Sequence, residues 1–199
     1  MSGRENCLHG CNPPVCMVWE MVDIDELILR AKDEFGFDEA GRLNVKALEF
    51  LPEIRQMCAA DRCRSYNRNW CCPPGCGTLE EISAKAAARE SGILVQSVGI
   101  LEDEFDAETM METEALQKER FMKLTAYVRS LAPDCIPMAS GTCRVCRTCS
   151  YPKEPCRFPE KAIPSMEAYG LFVSRVCAQS GMKYNYGKNT MAYTSCILI

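Results

Sequence analysis

The chain has 199 residues, 15 cysteines, one histidine and a formal net charge of −4, and its length is enough to bury one sizeable hydrophobic core. The mild acidity argues against nucleic-acid binding, and the lone His9 argues against zinc-hydrolase chemistry and histidine-based acid–base catalysis. No apolar run is long enough for membrane insertion, and Arg4 and Glu5 without an apolar segment do not form a secretory signal, so we expect a cytoplasmic protein whose cysteines serve a metal.

Residues 1–21 form an N-terminal extension with cysteines of its own. Cys7, Cys11 and Cys16 have a C-x3-C-x4-C spacing, with His9 between the first two. This spacing is compatible with a third metal site, with or without His9, and equally with a tail whose thiols bind nothing. We place the domain boundary after this extension, which leaves a metal-binding α/β domain over residues 22–199.

Helices and strands alternate along the predicted domain. The first helix, over 23–35, carries its apolar positions on one face, begins with Asp23 three residues before Glu26, and ends at Gly36. The further predicted elements are a strand over 43–51, a helix opened by Thr78 and Glu81 over 78–89, a strand over 92–101, a helix over 107–131, a short strand over 136–139, a helix capped by Ser165 over 165–179, and a hairpin of strands over 183–186 and 190–198.

This alternation predicts a single α/β domain in which a mixed sheet is flanked by helices. Sites in such folds collect on loops that leave strand ends. Two cysteine-rich, cluster-binding loops are expected there, because each follows a predicted strand and precedes a capped helix. The helix starts at Thr78 and Ser165 would then place positive dipole ends near anionic clusters.

The stretch 141–159 holds the most informative motif of the chain. Its four cysteines have a C-x2-C-x2-C-x6-C spacing: Cys143, Cys146, Cys149 and Cys156. Cysteines spaced three residues apart let one loop direct several thiols towards the same metal centre, as in loops that hold a [4Fe-4S] cluster. Zinc is the alternative, but it seldom needs a third cysteine at the same short step. Cations that would stabilise an anionic cluster flank the thiols: Arg144, Arg147, Lys153, Arg157 and Lys161.

A second set of cysteines precedes the helix that Thr78 opens. It comprises Cys58, Cys63, Cys71, Cys72 and Cys76, flanked by Arg55, Arg62, Arg64 and Arg68. Pro73 and Pro74 stop a helix after Cys72 and turn the chain away from a metal. Adjacent residues of an extended segment point to opposite sides, so only one of Cys71 and Cys72 is expected to bind the same metal.

The predicted ligands of this upstream site are Cys58, Cys63, Cys72 and Cys76. Cys76 lies on the turn into the helix and can face back towards a cluster. Cys71 and the remote Cys177 are the alternatives for the fourth ligand. The cysteines expected to pack in the core, because they fall in or beside predicted strands or a helix, are Cys135, Cys177 and Cys196.

Taken together, the two cysteine motifs resemble a known family. The matching residues are Cys58, Cys63, Tyr66, Trp70, Cys72, Pro73, Pro74 and Gly75, followed by Cys143, Cys146, Cys149, Pro155, Cys156, Arg157, Pro159, Pro164, Ser165, Glu167, Ala168 and Gly170. This combination is similar to domain-of-unknown-function family 2284, a family of predicted metal-binding, cysteine-rich proteins. The resemblance covers about residues 22–199 and implies metal binding, of iron–sulfur type, in anaerobic bacteria and archaea, without a known reaction. Cys71 and Cys76 are not part of the family pattern.

Three functions are compatible with these motifs. The first is an electron carrier with two [4Fe-4S] clusters, each held by four thiolates, that serves a redox enzyme partner. The second is a cluster-dependent enzyme with an open iron at the upstream site, lined by Tyr66, Asn69 and Trp70. The third is a zinc-stapled structural or binding protein. We favour the carrier, because the ligands are in surplus and no acid–base constellation is visible.

Overall fold

Residues 22–199 are described by a computed structural model, and a four-stranded sheet with the order β1-β2-β4-β3 lies at their centre. The strands are β1 (Glu39–Arg42), β2 (Gly92–Ile100), β3 (Ile136–Met138) and β4 (Thr190–Leu198). The helices are α1 (Ile24–Asp33), α2 (Pro52–Cys58), α3 (Leu79–Ala87), α4 (Ala107–Leu131) and α5 (Val173–Gln179). None of the helices in this range combines the length and apolar character needed to cross a membrane.

The long strands β2 and β4 form the middle of the sheet. They pair over their whole length, from Gly92 opposite Leu198 to Ile100 opposite Thr190. All three ladders among the described residues are antiparallel, and the parallel pairing is a single bridge between Ala139 and Ser165. The α/β class is therefore confirmed, but the strand directions differ from the expected mixed sheet, because β4 returns between β2 and β3 and runs opposite to both.

Helices cover both faces of the sheet. In β2, Leu94 belongs to the core that contains α3 and α5, whereas its neighbours Ile93 and Val95 belong to the core that contains α1 and α4. Successive side chains of a strand point to opposite faces, so this alternation places one helix pair on each side. Burial on both faces accounts for the nearly continuous apolar run of β2.

The predicted starts of α1 and α3 are confirmed in detail. The Asp23 carboxylate accepts hydrogen bonds from the Asp25 N–H at 2.9 Å and the Glu26 N–H at 3.2 Å. At α3, Thr78 Oγ1 accepts from the Glu81 N–H at 3.1 Å, and Glu81 Oε2 accepts from the Thr78 N–H at 2.7 Å. These reciprocal bonds satisfy donors that a helix cannot pair internally. The predicted bounds of α4 are also those of the structure.

The strand predicted over 43–51 is wrong. Pairing of β1 ends at Arg42, after which the Leu43 N–H still binds the Gly92 carbonyl at 2.9 Å and the Leu43 side chain enters the core. Val45–Ala47 then form a 3-10 turn, and α2 begins with Pro52 in its first turn. The upstream cysteines therefore follow a helix, α2, and not a strand.

The helix predicted over 165–179 is interrupted at Gly170. This residue has a left-handed backbone (φ 80°), and its carbonyl accepts a hydrogen bond from the Leu51 N–H at 2.9 Å. A Cβ atom there would lie 2.8 Å from the Leu51 carbonyl oxygen, so only glycine fits. Ser165 consequently caps a 3-10 turn, Glu167–Tyr169, and α5 starts afresh at Val173.

The predicted closing hairpin is also wrong. β4 pairs with β2 and β3, and residues 183–186 form no strand. They are held instead by a buried glutamine of β2: Gln96 Nε2 donates to the Lys183 carbonyl at 3.0 Å, and the Tyr186 hydroxyl donates to Gln96 Oε1 at 2.6 Å. These two bonds satisfy the hydrogen-bonding groups of the buried Gln96 side chain, and residues 183–186 do not add a fifth strand to the sheet.

Candidate metal centre

The upstream cysteines lie on the loop between α2 and α3, and sharp turns fold this loop back on itself. Cys58 is the last residue of α2. Asp61 Oδ1 then accepts a hydrogen bond from the Tyr66 N–H at 3.0 Å, and its other oxygen pairs with Arg68 Nη2 at 3.1 Å. Asp61, Arg64 and Asn67 all have positive φ, at 51°, 56° and 53°. These turns return the chain from Cys58 towards the second half of the loop.

Four thiols of this loop lie within electrostatic reach of one another, and we call them the upstream thiol group: Cys58, Cys63, Cys72 and Cys76. The pKa of Cys72 is raised to about 11, mainly by burial; the contact with Thr142 acts in the opposite direction, and the charges of the other three members add to the rise. Burial likewise raises the pKa of Cys58, followed by the charges of Glu167, Cys63 and Cys76. Burial therefore disfavours the thiolate form of Cys58 and Cys72, and a bound cation would favour it.

Cys76 is held at the turn into α3. Its N–H donates to the Cys72 carbonyl at 3.1 Å, and its sulfur lies 3.8 Å from Arg55 Nη2 and 3.6 Å from the Ala168 carbonyl oxygen. Burial raises the pKa of Cys76, and the Arg55 guanidinium acts in the opposite direction. Arg55 also donates to the Gly77 carbonyl, so it joins α2 to the start of α3.

The downstream cysteines line one small cavity, together with Cys71 from the other loop. We call these five the downstream thiol group: Cys71, Cys143, Cys146, Cys149 and Cys156. The six residues between Cys149 and Cys156 form a turn in which Ser150 Oγ donates to the Pro155 carbonyl at 2.8 Å. Arg157 Nη1 donates to the Thr148 carbonyl at 2.9 Å and closes the same turn. The six residues between the last two cysteines of the motif thus form a turn that brings Cys156 close to the other three.

Cys71 is the member of this group that the sequence did not assign to it. It is buried, and its N–H donates to Asn69 Oδ1 at 2.8 Å. The interaction of the Cys71 and Cys143 thiols is the main cause that lowers the pKa of Cys143, against the effect of burial, with help from the Val145 backbone and Lys118. The same interaction raises the pKa of Cys71. The sequence argument for treating Cys71 and Cys72 apart assumed an extended segment, whereas the two residues lie in a turn in which the Cys72 N–H donates to the Asn69 carbonyl at 3.1 Å.

The two cysteine loops pack directly against each other. Trp70 Nε1 donates to the Glu154 carbonyl at 3.0 Å, and the Trp70 ring meets the Tyr151 ring edge-on at a centroid distance of 4.9 Å. Asn69 Nδ2 donates to the Cys143 carbonyl at 3.2 Å. Asn69 and Trp70 therefore line the cavity of the downstream group, although the sequence placed them at an upstream open iron. One compact unit contains both thiol groups.

An open cleft of about 390 Å³ lies between the two thiol groups. Its walls include Cys76 from the upstream group and Cys71 and Cys156 from the downstream group, together with Trp70 and Tyr169. The pKa of Tyr169 is raised to about 12, mainly by burial and also by the charges of Cys76 and Cys71. The phenol therefore stays protonated at neutral pH and can donate a hydrogen bond.

The remaining described cysteines are core residues, as predicted: Cys135, Cys177 and Cys196. Cys177 is a fully buried residue of α5, and Gln96 Nε2 lies 3.6 Å from its sulfur. It packs in the same core cluster as Cys196 and away from the cavity of the downstream group. Cys7, His9, Cys11 and Cys16 lie outside the described residues. Within residues 22–199, no group of three or more His, Cys, Asp or Glu side chains is already arranged to hold a metal ion.

Comparison with known proteins identifies the family. The model of DUF2284, described as a predicted metal-binding protein, matches residues 41–199. The chain belongs to this family. The match confirms the resemblance of the two cysteine motifs and begins after α1, somewhat later than the expected start near residue 22. Searches of curated proteins and of solved structures give no match.

Proposed function

We propose that this protein holds two [4Fe-4S] clusters and carries electrons to a redox enzyme partner in the reducing cytoplasm of an anaerobe. The observation that carries the proposal is the division of two neighbouring thiols. Cys72 belongs to the upstream group, whereas Cys71 lines the cavity of the downstream group. Consecutive Cα atoms are about 3.8 Å apart, so one peptide unit separates a proposed ligand of the upstream cluster from a thiol beside the downstream cluster, and the two clusters would lie close enough to exchange electrons.

The donor set fits such clusters. The proposed ligands are Cys58, Cys63, Cys72 and Cys76 for one cluster and Cys143, Cys146, Cys149 and Cys156 for the other. A bound cluster would supply one-electron transfer. Burial raises the pKa of three upstream thiols, Cys58, Cys72 and Cys76, and a bound cation would favour their ionised form. The four downstream thiols converge on one cavity of about 20 Å³, which would widen to admit a cluster, and they supply one thiolate for each of its irons.

Groups around the thiols would adjust the cluster potential. The Arg55 guanidinium lies 3.8 Å from the Cys76 sulfur, and the Val145 backbone lowers the pKa of Cys143. Lys118 contributes positive charge near Cys143. Hydrogen bonds to sulfur and nearby cations stabilise the more negative, reduced state of a cluster and so raise its potential.

The test is the metal content of protein purified without oxygen. We expect about eight irons and about eight acid-labile sulfides per chain, which is the content of two [4Fe-4S] clusters. Cys149→Ala should lose about half of this iron, whereas the control Cys135→Ala, at a buried cysteine outside both thiol groups, should keep all of it. Stoichiometric zinc without iron would refute the proposal and favour the zinc-stapled alternative.

A second candidate is an enzyme with an open iron at the upstream group. The specific observation in its favour is the cleft between the two groups, which would admit a substrate beside Cys76 and Tyr169. An open iron should bind added cyanide and change its electron-resonance spectrum, whereas a four-thiolate cluster should not. If Cys76→Ala leaves the spectrum unchanged and cyanide shifts it, the enzyme replaces the carrier.

A further inference from the structure

A second pocket lies beside the downstream thiol group, between α4 and the start of the downstream loop. Its volume is about 230 Å³, and we call it the α4 pocket after the helix that supplies Lys118, Phe121 and Met122. Cys143 lines both this pocket and the cavity of the downstream group, so the residue forms a shared wall. A molecule in the α4 pocket would therefore lie against a proposed cluster ligand.

The interior of the α4 pocket is apolar. Phe121 and Met122 from α4 face Val145 and Ile163 from the downstream segment across it. Its volume of about 230 Å³ equals that of about eight water molecules at about 30 Å³ each. This space suits a molecule of about ten non-hydrogen atoms with an apolar body.

The charged side chains that line the α4 pocket are all cations. They are Lys118, Arg144 and Lys161, and no carboxylate lines it, although the whole chain carries a net charge of −4. Lys118 pairs with Glu114 one turn earlier in α4. Among the residues that the structure describes, neither Arg144 nor Lys161 forms an ion pair. Two cations are thus free to meet an anion.

A buried hydroxyl adds a neutral donor. Ser195 is fully buried, lines the α4 pocket, and accepts a hydrogen bond from Gln117 Nε2 at 3.0 Å. Because its oxygen already accepts from Gln117, its hydrogen is available for an acceptor in the pocket. Ser140 and Thr142 place two further hydroxyls in the lining.

We propose that the α4 pocket binds a small organic carboxylate, with its apolar body against Phe121 and Met122 and its carboxylate beside Arg144 and Lys161. The combination of an apolar interior, cations without a lining carboxylate, and a buried hydroxyl donor matches that class of molecule. The inference goes beyond electron transfer and does not require a cluster. It gives the protein a site at which a small molecule contacts Cys143.

The test uses benzoate as the probe and benzyl alcohol as its neutral counterpart, with binding measured by calorimetry and by ligand-observed NMR. We expect benzoate to bind at least tenfold more tightly, because charge-assisted hydrogen bonds add to the apolar contacts. Met122→Glu should abolish binding, whereas Met111→Glu, on an exposed part of the same helix, should not. Lys161→Gln should weaken binding about tenfold, and the exposed Lys123→Gln should leave it unchanged.

Three results would overturn the inference: no benzoate binding, equal binding of benzyl alcohol, or undiminished binding by Met122→Glu. Iron content is measured in the same samples, so the two proposals fail separately. Full iron without benzoate binding would remove only the carboxylate site. Zinc in place of iron, with benzoate still bound, would remove only the electron carrier.

Discussion

One added methyl group tests the contact between the two cysteine loops. Gly75 lies where they touch: a Cβ atom there would lie 2.7 Å from the Asn69 carbonyl oxygen and 2.8 Å from Tyr151 Cε2. The first neighbour is backbone of the upstream loop and the second is a ring of the downstream loop, so Gly75→Ala must wedge them apart. Overpacking of this kind costs about 1–3 kcal/mol.

The effect is measurable by urea unfolding and by iron content. With a denaturant slope of about 2 kcal/mol/M, a loss of about 2 kcal/mol lowers the urea midpoint by about 1 M. We expect the iron of both thiol groups to fall as well, because both depend on the same loop contact. The control is Gly41→Ala, where the new Cβ would meet the flexible end of Met182 at 3.0 Å. If both variants had the same midpoint and iron content, the loops would not be packed as described.

Three further variants test the thiol assignments and a helix start. Cys146→Ser should remove the downstream metal and make the loop over 141–159 sensitive to protease, because metal binding orders a loop with little apolar content. Unchanged iron content and unchanged protease resistance would contradict the ligand assignment. Cys76→Ala should lower the iron content, whereas Cys177→Ala should leave it intact and cost only stability; the reverse outcome would return Cys177 to the upstream site. Thr78→Ala should lower the free energy of unfolding, measured in urea, by about 1 kcal/mol, whereas Ser83→Ala, at an exposed position within α3, should change it little. Equal effects would show that the capping bonds do not contribute to stability.

Local signals in the sequence predicted those parts of the fold that local interactions determine. The Thr78 and Glu81 pair is a capping box in both sequence and structure, and the apolar run of β2 is a strand buried on both faces. The wrong elements depend on distant partners. Gly170 breaks the 165–179 helix because its carbonyl binds Leu51, and Gln96 holds residues 183–186 away from a strand. Neither partner is visible in the segment itself.

The grouping of thiols shows the same division. Spacing alone gathered Cys143, Cys146, Cys149 and Cys156, and the structure lines one cavity with them. Spacing could not place Cys71, because its partner Cys143 is far away in the sequence and meets it only through the packing of Trp70 and Asn69 on the downstream loop. The alternation argument that separated Cys71 from Cys72 assumed an extended segment, whereas the chain turns there, and it did not say what Cys71 would meet.

The position of β4 has a consequence for how the protein is made. β3 is hydrogen-bonded to β4, and β4 separates it from β2, so β3 has no neighbour in the sheet until β4 has been synthesised. The loop over 141–159 follows β3 and is therefore made before that strand can pair. Synthesis of β4 is thus the step that can anchor the end of this loop that lies next to β3.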